Sequence, residues 1–397
     1  MITVDQALSV VLDRVEGLSS ETVALEYAHR RVLAEDVIAD IDLPPFDRAR
    51  MDGYAVRSVD VAVAPARLRV IGKVPAGARF DGEIHSGEAV KIFTGAPIPD
   101  GADAVQKVEV TQADGDTVEI TEPVSQGQFI TPRASEIAAG EIVATAGHEV
   151  GAAEMAVLAS FGYSRVRVGR QPRAAVLSTG SELVEVSTSP SAAQIRNSNT
   201  YTLAAYAAQA GAVVDRLGIV KDTPEATRDA LTKASDNCDI VITSGGVSMG
   251  DYDLVKAALL EIGAQIYFDK VMIRPGKPIV FARLGSTFFF GLPGNPVSTS
   301  VTFNVFVRPA IRRMQGAASP TLPILNAHLS RPVKDKSSRR SFLPARFYVD
   351  AGRAMVEPLK WGGSSDLVAF MRASGLIIVP EDVHDIDEGQ LVDAMLL

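Results

Sequence analysis

Between Arg173 and about Gly316 the chain alternates short apolar runs with longer helical patterns, and this alternation restricts the fold more than any other feature. The runs AAVLST, AVVDRLGIV and DIVITSGG are typical of strands, whereas NTYTLAAYAAQAG, PEATRDALTKA and YDLVKAALLEIG are typical of helices. Such alternation forms right-handed βαβ units around a mostly parallel sheet, whose ligands bind beyond the strand carboxyl ends. The sequence therefore predicts a doubly wound α/β domain over residues 173–318.

The remaining segments predict a multidomain protein of the α/β plus β class. Thr3 and Gln6 fit a capping box ahead of an amphipathic helix, and further helices are predicted over residues 26–33 and 152–161. Short β runs separated by Gly and Pro follow residue 42, and β-like segments return after residue 319. We expect a discontinuous helical region (1–41 and 146–172), an inserted β domain (42–145) and a small C-terminal β domain (319–397).

Composition excludes several classes of partner. The 397 residues carry a net charge of −9, which disfavours nucleic acid because phosphate contacts need clustered Lys and Arg. The N-terminus lacks a basic segment before an apolar core, and no run approaches the ~18 apolar residues of a membrane span, so we expect a cytoplasmic protein without membrane partners. A single cysteine, Cys238, excludes an internal disulfide and a thiolate metal cluster.

The segment TSGGVSMGDYD, residues 243–253, follows a predicted strand and combines glycines with two acids. Gly245 and Gly246 permit close backbone approach, and a helix beginning near Tyr252 would offer free amides to an anion. Asp251 and Asp253 would repel that anion unless a divalent cation bridges acid and phosphate, as Mg²⁺ does with few carboxylates. The alternative is that Asp251 caps the helix and the glycines form a tight turn.

Two other predicted strand ends also carry acids. Glu182 follows LSTG, and Asp222 precedes Thr223 and Pro224, which fit the N-cap and first positions of a helix. Taken alone, Glu182 is better explained by a capped turn, and Asp222 could simply reinforce the helix cap. Taken together, Glu182, Asp222 and Asp253 reach one sheet edge beside glycine loops, which predicts a crevice for a metal ion and a phosphate.

Cations cluster in the next segment. Lys270, Arg274 and Lys277 surround a Pro–Gly turn, and this pattern predicts a pocket for a compact oxyanion, with a solvated basic turn as the alternative. GLPGNPVSTS then begins a helix whose amides and Ser298 would face the ligand.

Two motifs in the β insert are not explained by the α/β domain. MDGYAVR contains Asp52 and IFTGAPIP contains Thr94, and although the first is also compatible with a hairpin turn, both suggest that the insert contributes to a site formed elsewhere.

Six motifs occur in the order MDGYAVR, IFTGAPIP, STGSEL, TSGGVSMGDYD, RPGKP and GLPGNPVS, and together they resemble the molybdopterin molybdenumtransferase family, which is related to the gephyrin E domain. The resemblance extends to GGSSDLVAFMRASGLIIVPE near the C-terminus. It implies an elongated homodimer of four-domain subunits whose site lies between the α/β domain of one subunit and the β insert of its partner. It also implies insertion of molybdate into adenylylated molybdopterin, assistance by Mg²⁺, release of AMP, and a molybdopterin adenylyltransferase as partner.

The same resemblance assigns roles to individual residues. It implies that Mg²⁺ is bound, or the anhydride organised, by Glu182, Asp222 and Asp253, and that the partner subunit contributes Asp52 and Thr94. Molybdate would be held by Arg274, Lys277, Arg339 and Ser364, while Lys270 would face the phosphates. The remaining substrate-binding candidates are Gly245, Gly246, Ser248, Asn295 and Ser298.

The sequence departs from the family pattern at residues 131–136. Where the family commonly has an Arg, two residues, then Gly, an acid and Asp, this chain reads TPRASE, so that the Arg is displaced to Arg133, Ala134 replaces Gly, and Glu136 replaces Asp. Arg274 also stands where Lys is common, which changes hydration and geometry but keeps the charge.

Two alternative functions are compatible with this architecture. A molybdopterin adenylyltransferase would carry a GGTG loop, whereas this chain has GGVS after Ser244. A noncatalytic scaffold of the gephyrin type would not need Glu182, Asp222 and Asp253, all of which are present. The sequence leaves open which acid ligates Mg²⁺ and whether tungstate replaces molybdate.

Overall fold

The computed structural model describes residues 1–247 and 254–397, which divide into two compact units. The main unit comprises Met1–Glu35, Ala146–Met155 and Arg165–Leu397, and the β unit comprises Asp36–Thr145 and Ala156–Ser164. The finer division into four domains stays a prediction.

The main unit begins with helix α1 (Val4–Arg14), which starts at the predicted capping box. The Thr3 hydroxyl accepts from Gln6 N at 3.2 Å, and the Gln6 side chain accepts from Thr3 N at 3.0 Å. Val4, Ala7 and Val11 are buried, so the predicted apolar face packs into the core. The prediction of this helix is confirmed.

The predicted helix over residues 26–33 is wrong. Strand β1 (Ser20–Ala24) leads into a single 3₁₀ turn, Leu25–Tyr27. Arg30 then has a φ of 63°, which an α-helix does not allow, and Val32 and Leu33 form bridges to Glu149 and Val168. Pairing between distant segments therefore overrides the local helical pattern.

The β unit consists of short strands, as its Gly- and Pro-rich texture predicts. They are β2 (Val37–Ile38), β3 (Arg48–Ala49), β4 (Gly53–Val56), β5 (Ala66–Val74), β6 (Glu88–Ile92), β7 (Ala104–Lys107), β8 (Thr111–Asp114), β9 (Thr117–Ile120), β10 (Ile130–Thr131) and β11 (Ile142–Ala144), with 3₁₀ turns at Ser58–Val61 and Val108–Val110. Six of them form a sheet in the order β7-β4-β6-β5-β9-β8. Helix α2 (Ala152–Ser160) confirms the prediction over residues 152–161, and β12 (Arg165–Gly169) pairs antiparallel with β1.

The predicted α/β region contains a six-stranded sheet. Its elements are β13 (Arg173–Thr179), β14 (Leu183–Val184), β15 (Ile195–Arg196), α3 (Asn199–Gln209), β16 (Val213–Val220), α4 (Pro224–Ser235), β17 (Ile240–Ser244), α5 (Leu254–Glu261), β18 (Gln265–Lys270), β19 (Ile273–Arg274), β20 (Pro278–Leu284), β21 (Thr287–Leu292), α6 (Pro296–Thr302) and α7 (Arg308–Met314), the last two joined by a π-helical turn, Phe303–Val307. The strand order is β16-β13-β17-β21-β20-β18. The first four strands are parallel, and β20 runs antiparallel to β21. Strand β18 is antiparallel to β20 and therefore runs in the same direction as the first four, so the sheet is mixed with β20 as the one reversed strand of the six.

Both faces of this sheet are covered by helices. Successive residues of β13 alternate between two cores: Ala174 and Val176 lie in the cluster that contains α1 and α3, whereas Ala175 and Leu177 lie in the cluster that contains α4 and α5. This period of two places helices on both sides of the strands, which is the doubly wound arrangement. No helix of the part of the chain that the structure describes is long and apolar enough to cross a membrane.

The C-terminal part of the main unit is a small closed barrel. Its elements are β22 (Ile324–Leu329), β23 (Val333–Lys334), β24 (Arg340–Asp350), β25 (Arg353–Pro358), α8 (Leu367–Met371), β26 (Gly375–Val379), β27 (Asp385–Ile386) and β28 (Leu391–Leu396). The strands pair in the order β24-β25-β22-β28-β26, and β26 pairs again with β24, which closes the ring. Strand β19 pairs with β24, so the Arg274 segment is joined directly to the barrel.

Candidate functional site

The ends of neighbouring parallel strands bring two of the predicted acids to one cavity. Glu182 follows β13 and Asp222 follows β16, and both residues line a cavity of about 900 Å³. It is called the larger cavity below, to distinguish it from a smaller one beside it. The hydroxyl of Thr223 accepts from Ala226 N at 3.3 Å, so Thr223 rather than Asp222 caps α4. Asp253, the third predicted acid, lies outside the described residues.

The two acids influence each other electrostatically. Burial and the charge of Glu182 raise the pKa of Asp222 above its ordinary value of 3.8. Within residues 1–247 and 254–397 no group of three or more His, Cys, Asp and Glu residues is placed to hold a metal ion. Mg²⁺ needs only one or two carboxylates when phosphate oxygens and water complete its coordination, so the Glu182–Asp222 pair fits this ion.

The glycine loop after β17 packs against the end of β13. Gly245 and Gly246 have φ values of 91° and 67°, and both line the larger cavity. A Cβ atom on Gly245 would lie 2.3 Å from Thr179 O, so only glycine permits this approach. Ser248, Asp251 and Tyr252, which follow in the sequence, lie outside the described residues.

A second cavity, of about 410 Å³, collects positive charge. This smaller cavity is lined by Arg274, Lys277 and Arg339, together with Ser298, Ser364 and Trp361. Burial and the charge of Arg274 lower the pKa of Arg339, although a guanidinium group remains charged in proteins. Three cations beside two hydroxyl groups form a suitable environment for a compact anion.

A buried carboxylate and a backbone carbonyl hold the two arginines. Arg274 Nη1 donates to Asp335 Oδ1, which also accepts from Ser337 N at 3.0 Å. Arg339 Nη1 donates to Ile273 O at 3.0 Å. The Asp335 side chain is only 2% exposed, so it is a fixed support for the Arg274 guanidinium group rather than part of the cavity surface.

The turn at residues 293–295 forms a wall between the two cavities. Pro293 and Asn295 line both of them. Asn295 is the N-cap of α6 and Pro296 its first residue, as predicted for this turn. Asn295 Nδ2 donates to Ser364 Oγ at 2.9 Å, and Val297 N donates to Ser364 O at 3.0 Å, which ties the wall to the barrel.

The structure does not bring every predicted residue to these cavities. Lys270 ends β18 and is not among the described residues that line either cavity, so its contact with phosphates stays a prediction. In the β unit, Asp52 Oδ1 accepts from Thr94 N and from Thr94 Oγ1, both at 2.7 Å. These two hydrogen bonds lower the pKa of Asp52 and so favour its ionised form. The two predicted residues are therefore in direct contact within the β unit.

The residues that depart from the family pattern make contacts inside the β unit. The Arg133 guanidinium group pairs with Asp42, and Arg133 N donates to Asp47 Oδ1 at 2.7 Å. Glu136 forms an ion pair with Arg48 at 3.1 Å. Ala134 has a φ of 58°, a conformation that the Gly of the family pattern would adopt more readily.

Sequence reasoning missed two residues that line these cavities and one that supports a cavity residue from behind. Asn199 lines the larger cavity and Trp361 the smaller one, and each had a signal: the polar run RNSN before α3, and the lone tryptophan next to GGSS. Asp335 had none, because it lies 61 residues from its partner Arg274.

Comparison with known proteins covers the whole chain. Three family models match in order: the MoeA N-terminal region (domain I and II) at residues 2–162, the "Probable molybdopterin binding domain" at 175–313, and the MoeA C-terminal region (domain IV) at 326–397. The molybdopterin molybdenumtransferase of Staphylococcus aureus is 35% identical over 399 residues, which cover 100% of this chain and 95% of that protein. The chain belongs to the molybdopterin molybdenumtransferase family.

Further members of the family agree. The molybdopterin molybdenumtransferase of Haemophilus influenzae is 36% identical over 396 residues, covering 99% of this chain and 98% of that protein. The crystal structure of the molybdopterin biosynthesis MoeA protein from Pyrococcus horikoshii OT3 has a TM-score of 0.84 at 30% identity and covers 100% of both chains. The resemblance inferred from the six motifs is confirmed, and with it the expectation of an enzyme of this transferase family.

Proposed function

We propose that the protein inserts molybdenum from molybdate into adenylylated molybdopterin, with Mg²⁺-assisted cleavage of the phosphoanhydride and release of AMP, giving molybdenum cofactor. One observation carries this proposal: a larger cavity with acids and glycines shares a wall with a smaller cavity lined by three cations. The two substrates match the two cavities in size and charge. One is an extended nucleotide conjugate with two phosphates, which suits the larger cavity, and the other is a compact dianion, which suits the cavity lined by cations.

The larger cavity supplies what the nucleotide conjugate needs. Gly245 and Gly246 line this cavity and have no side chains to cover the backbone, so phosphates can approach their amides closely. Glu182 and Asp222 would hold Mg²⁺, which when bound neutralises anhydride charge that the two carboxylates would otherwise repel. Burial and the charge of Glu182 raise the pKa of Asp222, and a cation bound between the two carboxylates would relieve the repulsion between them.

The smaller cavity supplies what the oxyanion needs. Arg274 offers a planar fork of donors, and Lys277 a point charge on a flexible stem. Arg339 adds a third cation from the barrel, and Ser298 and Ser364 add hydroxyl donors. The Arg274–Asp335 ion pair keeps one guanidinium group in place before the anion binds, which lowers the ordering cost of binding.

The proposal extends to residues and partners beyond these cavities. The protein would act as a homodimer in which a second copy supplies Asp52, held ionised by Thr94, and Lys270 would contact the phosphates. A molybdopterin adenylyltransferase would supply the adenylylated substrate. These points rest on the family resemblance and on the Asp52–Thr94 hydrogen bonds.

The proposal is tested by incubating the purified protein with adenylylated molybdopterin, Mg²⁺ and molybdate, and measuring AMP and protein-bound molybdenum together. We expect AMP and inserted molybdenum to appear in equal amounts, and both to require molybdate and Mg²⁺. Absence of AMP release from folded protein would favour a scaffold, and formation of adenylylated molybdopterin from ATP and molybdopterin would favour an adenylyltransferase.

A further inference from the structure

The side chain of Asn199 ties together the loops that separate the two cavities. Asn199 is the first residue of α3, and its Nδ2 atom donates to Ser244 Oγ at 2.8 Å and to Gly294 O at 2.7 Å. Gly294 O is a carbonyl and only accepts, so the amide nitrogen must face it. One side chain thus connects the end of β17 with the turn at residues 293–295.

Two hydroxyl groups continue this connection along the same turn. Ser244 Oγ, which receives the Asn199 amide, donates to Pro293 O at 3.2 Å. Thr299 Oγ1 donates to the same carbonyl at 2.5 Å. Holding the carbonyl oxygens of Pro293 and Gly294 fixes two successive peptide planes, because each peptide unit is rigid.

The turn that is fixed in this way forms, together with Pro278, the wall that both cavities share. Pro293 and Asn295 line the larger and the smaller cavity, and Ser364 of the smaller cavity is bonded to the Asn295 side chain. Asn199 and Ser244 line the larger cavity and do not line the smaller one. A rotation of the turn would therefore move the binding surfaces of the two cavities relative to each other.

We infer that Asn199 is a positioning residue that sets the relative placement of the two substrates. This inference rests on the proposed function, in which each cavity holds one substrate. Each cavity keeps its own charged groups when Asn199 is replaced, so affinity for either substrate alone depends little on it. The reaction depends on the distance and angle between the substrates, to which rates are far more sensitive than affinities.

The test compares Asn199→Ala with Asn304→Ala. Asn304 is a matched control, because its buried amide donates to Ser300 O at 3.0 Å and it lines neither cavity. Affinity is measured for molybdate alone and for adenylylated molybdopterin without molybdate, and turnover is measured with both. For Asn199→Ala we expect turnover to fall about ten-fold or more while each affinity changes by less than about three-fold. For Asn304→Ala we expect turnover of the folded protein to stay near that of the wild type.

Ser244→Ala provides a second variant in case Asn199→Ala does not fold. It removes the hydroxyl that accepts from Asn199 and donates to Pro293 O, so we expect the same loss of turnover with retained affinities. Unchanged turnover in Asn199→Ala, or an equal loss of affinity for either substrate alone, would overturn the inference while leaving the proposed function intact. An inactive wild-type protein would overturn both.

Discussion

At the scale of single residues, Glu182 and Asp222 supply the two carboxylates that the larger cavity offers to a cation. An acid with a raised pKa is destabilised as an anion, so its charge opposes folding above that pKa, and the opposition disappears as the pH falls and the acid is protonated. Acids with perturbed pKa values that lie in a cavity are candidates for ligand binding.

Asp222→Asn separates the structural effect of this carboxylate from its functional one. We expect the variant to melt at a higher temperature than the wild type at neutral pH, with the difference shrinking as the pH falls through the pKa of Asp222 in the folded protein. Turnover should drop about ten-fold or more, because a charged interaction of about 1.5–3 kcal/mol is lost. Melting curves with and without Mg²⁺, and initial rates, measure these effects.

Asp229→Asn is the control for this prediction, since Asp229 lies on α4 with its side chain 73% exposed. Its melting temperature and turnover should stay close to those of the wild type. With adenylylated molybdopterin present in both samples, a wild-type melting temperature that Mg²⁺ raises no more than that of Asp222→Asn would contradict the metal assignment.

The proposed function assigns Lys277 to molybdate and Lys270 to the phosphates, and substitution of each lysine tests this assignment. Lys277→Gln should raise the KM for molybdate about ten- to hundred-fold, equivalent to about 1.5–3 kcal/mol, because Lys277 lines the smaller cavity. Lys270→Gln should leave the KM for molybdate unchanged and raise that for adenylylated molybdopterin. Initial rates with each substrate varied in turn decide this, and the reverse pattern would reassign both lysines.

The sequence could predict the role of a residue where that residue directly follows a recognisable strand. Glu182 and Asp222 follow apolar runs, and parallel strands share one carboxyl edge, so their meeting follows from the topology. Asn199 and Asp335 could not be predicted in this way, because their partners Gly294 and Arg274 are 95 and 61 residues away. Only the folded chain shows these contacts.

At the scale of elements, the loop after β17 depends on glycine for two separable reasons. Gly245 has a positive φ, which costs other residues about 1–2 kcal/mol, and it also contacts Thr179 O closely. Gly263 has a φ of 82° with nothing within 4 Å of its Cβ position, so it shares the first reason and not the second.

Gly245→Ala should therefore lower turnover strongly, whereas Gly263→Ala should only lower the melting temperature. The added methyl group at position 245 must displace the loop from β13, because 2.3 Å is far below contact distance. Turnover and thermal melting of the two variants measure the difference. Equal turnover in both would mean that the loop position is not important for activity.

Local patterns predicted elements well where no distant strand competed. The capping box gave the start of α1, and Thr223 with Pro224 gave the start of α4. The helix predicted over residues 26–33 failed because Val32 and Leu33 are paired to other segments, and such pairing has no signature within the segment itself.

At the scale of the whole molecule, the proposed homodimer makes Asp52 and Asp222 act from different copies. If so, Asp52→Asn and Asp222→Asn should each lose about ten-fold or more in turnover, yet co-expression of the two should restore about a quarter of wild-type turnover. About half of the dimers would be mixed, and each mixed dimer would have one complete site of two. Turnover of the co-expressed, purified mixture tests this, and no recovery in mixed dimers would contradict a shared site.

The alternation of apolar and helical segments predicted the doubly wound α/β part, because the rules for connecting parallel strands leave few arrangements. The barrel closure could not be predicted, since it requires β24 to pair with both β25 and β26, and the sequence does not specify which strands meet. The reversed direction of β20 could not be predicted for the same reason.

The central claim is that the cation-lined cavity holds the oxyanion beside the nucleotide cavity. It is tested most directly by soaking crystals of the protein with molybdate and collecting anomalous diffraction at the molybdenum edge. The account predicts one anomalous peak between Arg274, Lys277 and Arg339, next to the turn at residues 293–295. A peak between Glu182 and Asp222, or no peak near the three cations, would contradict it.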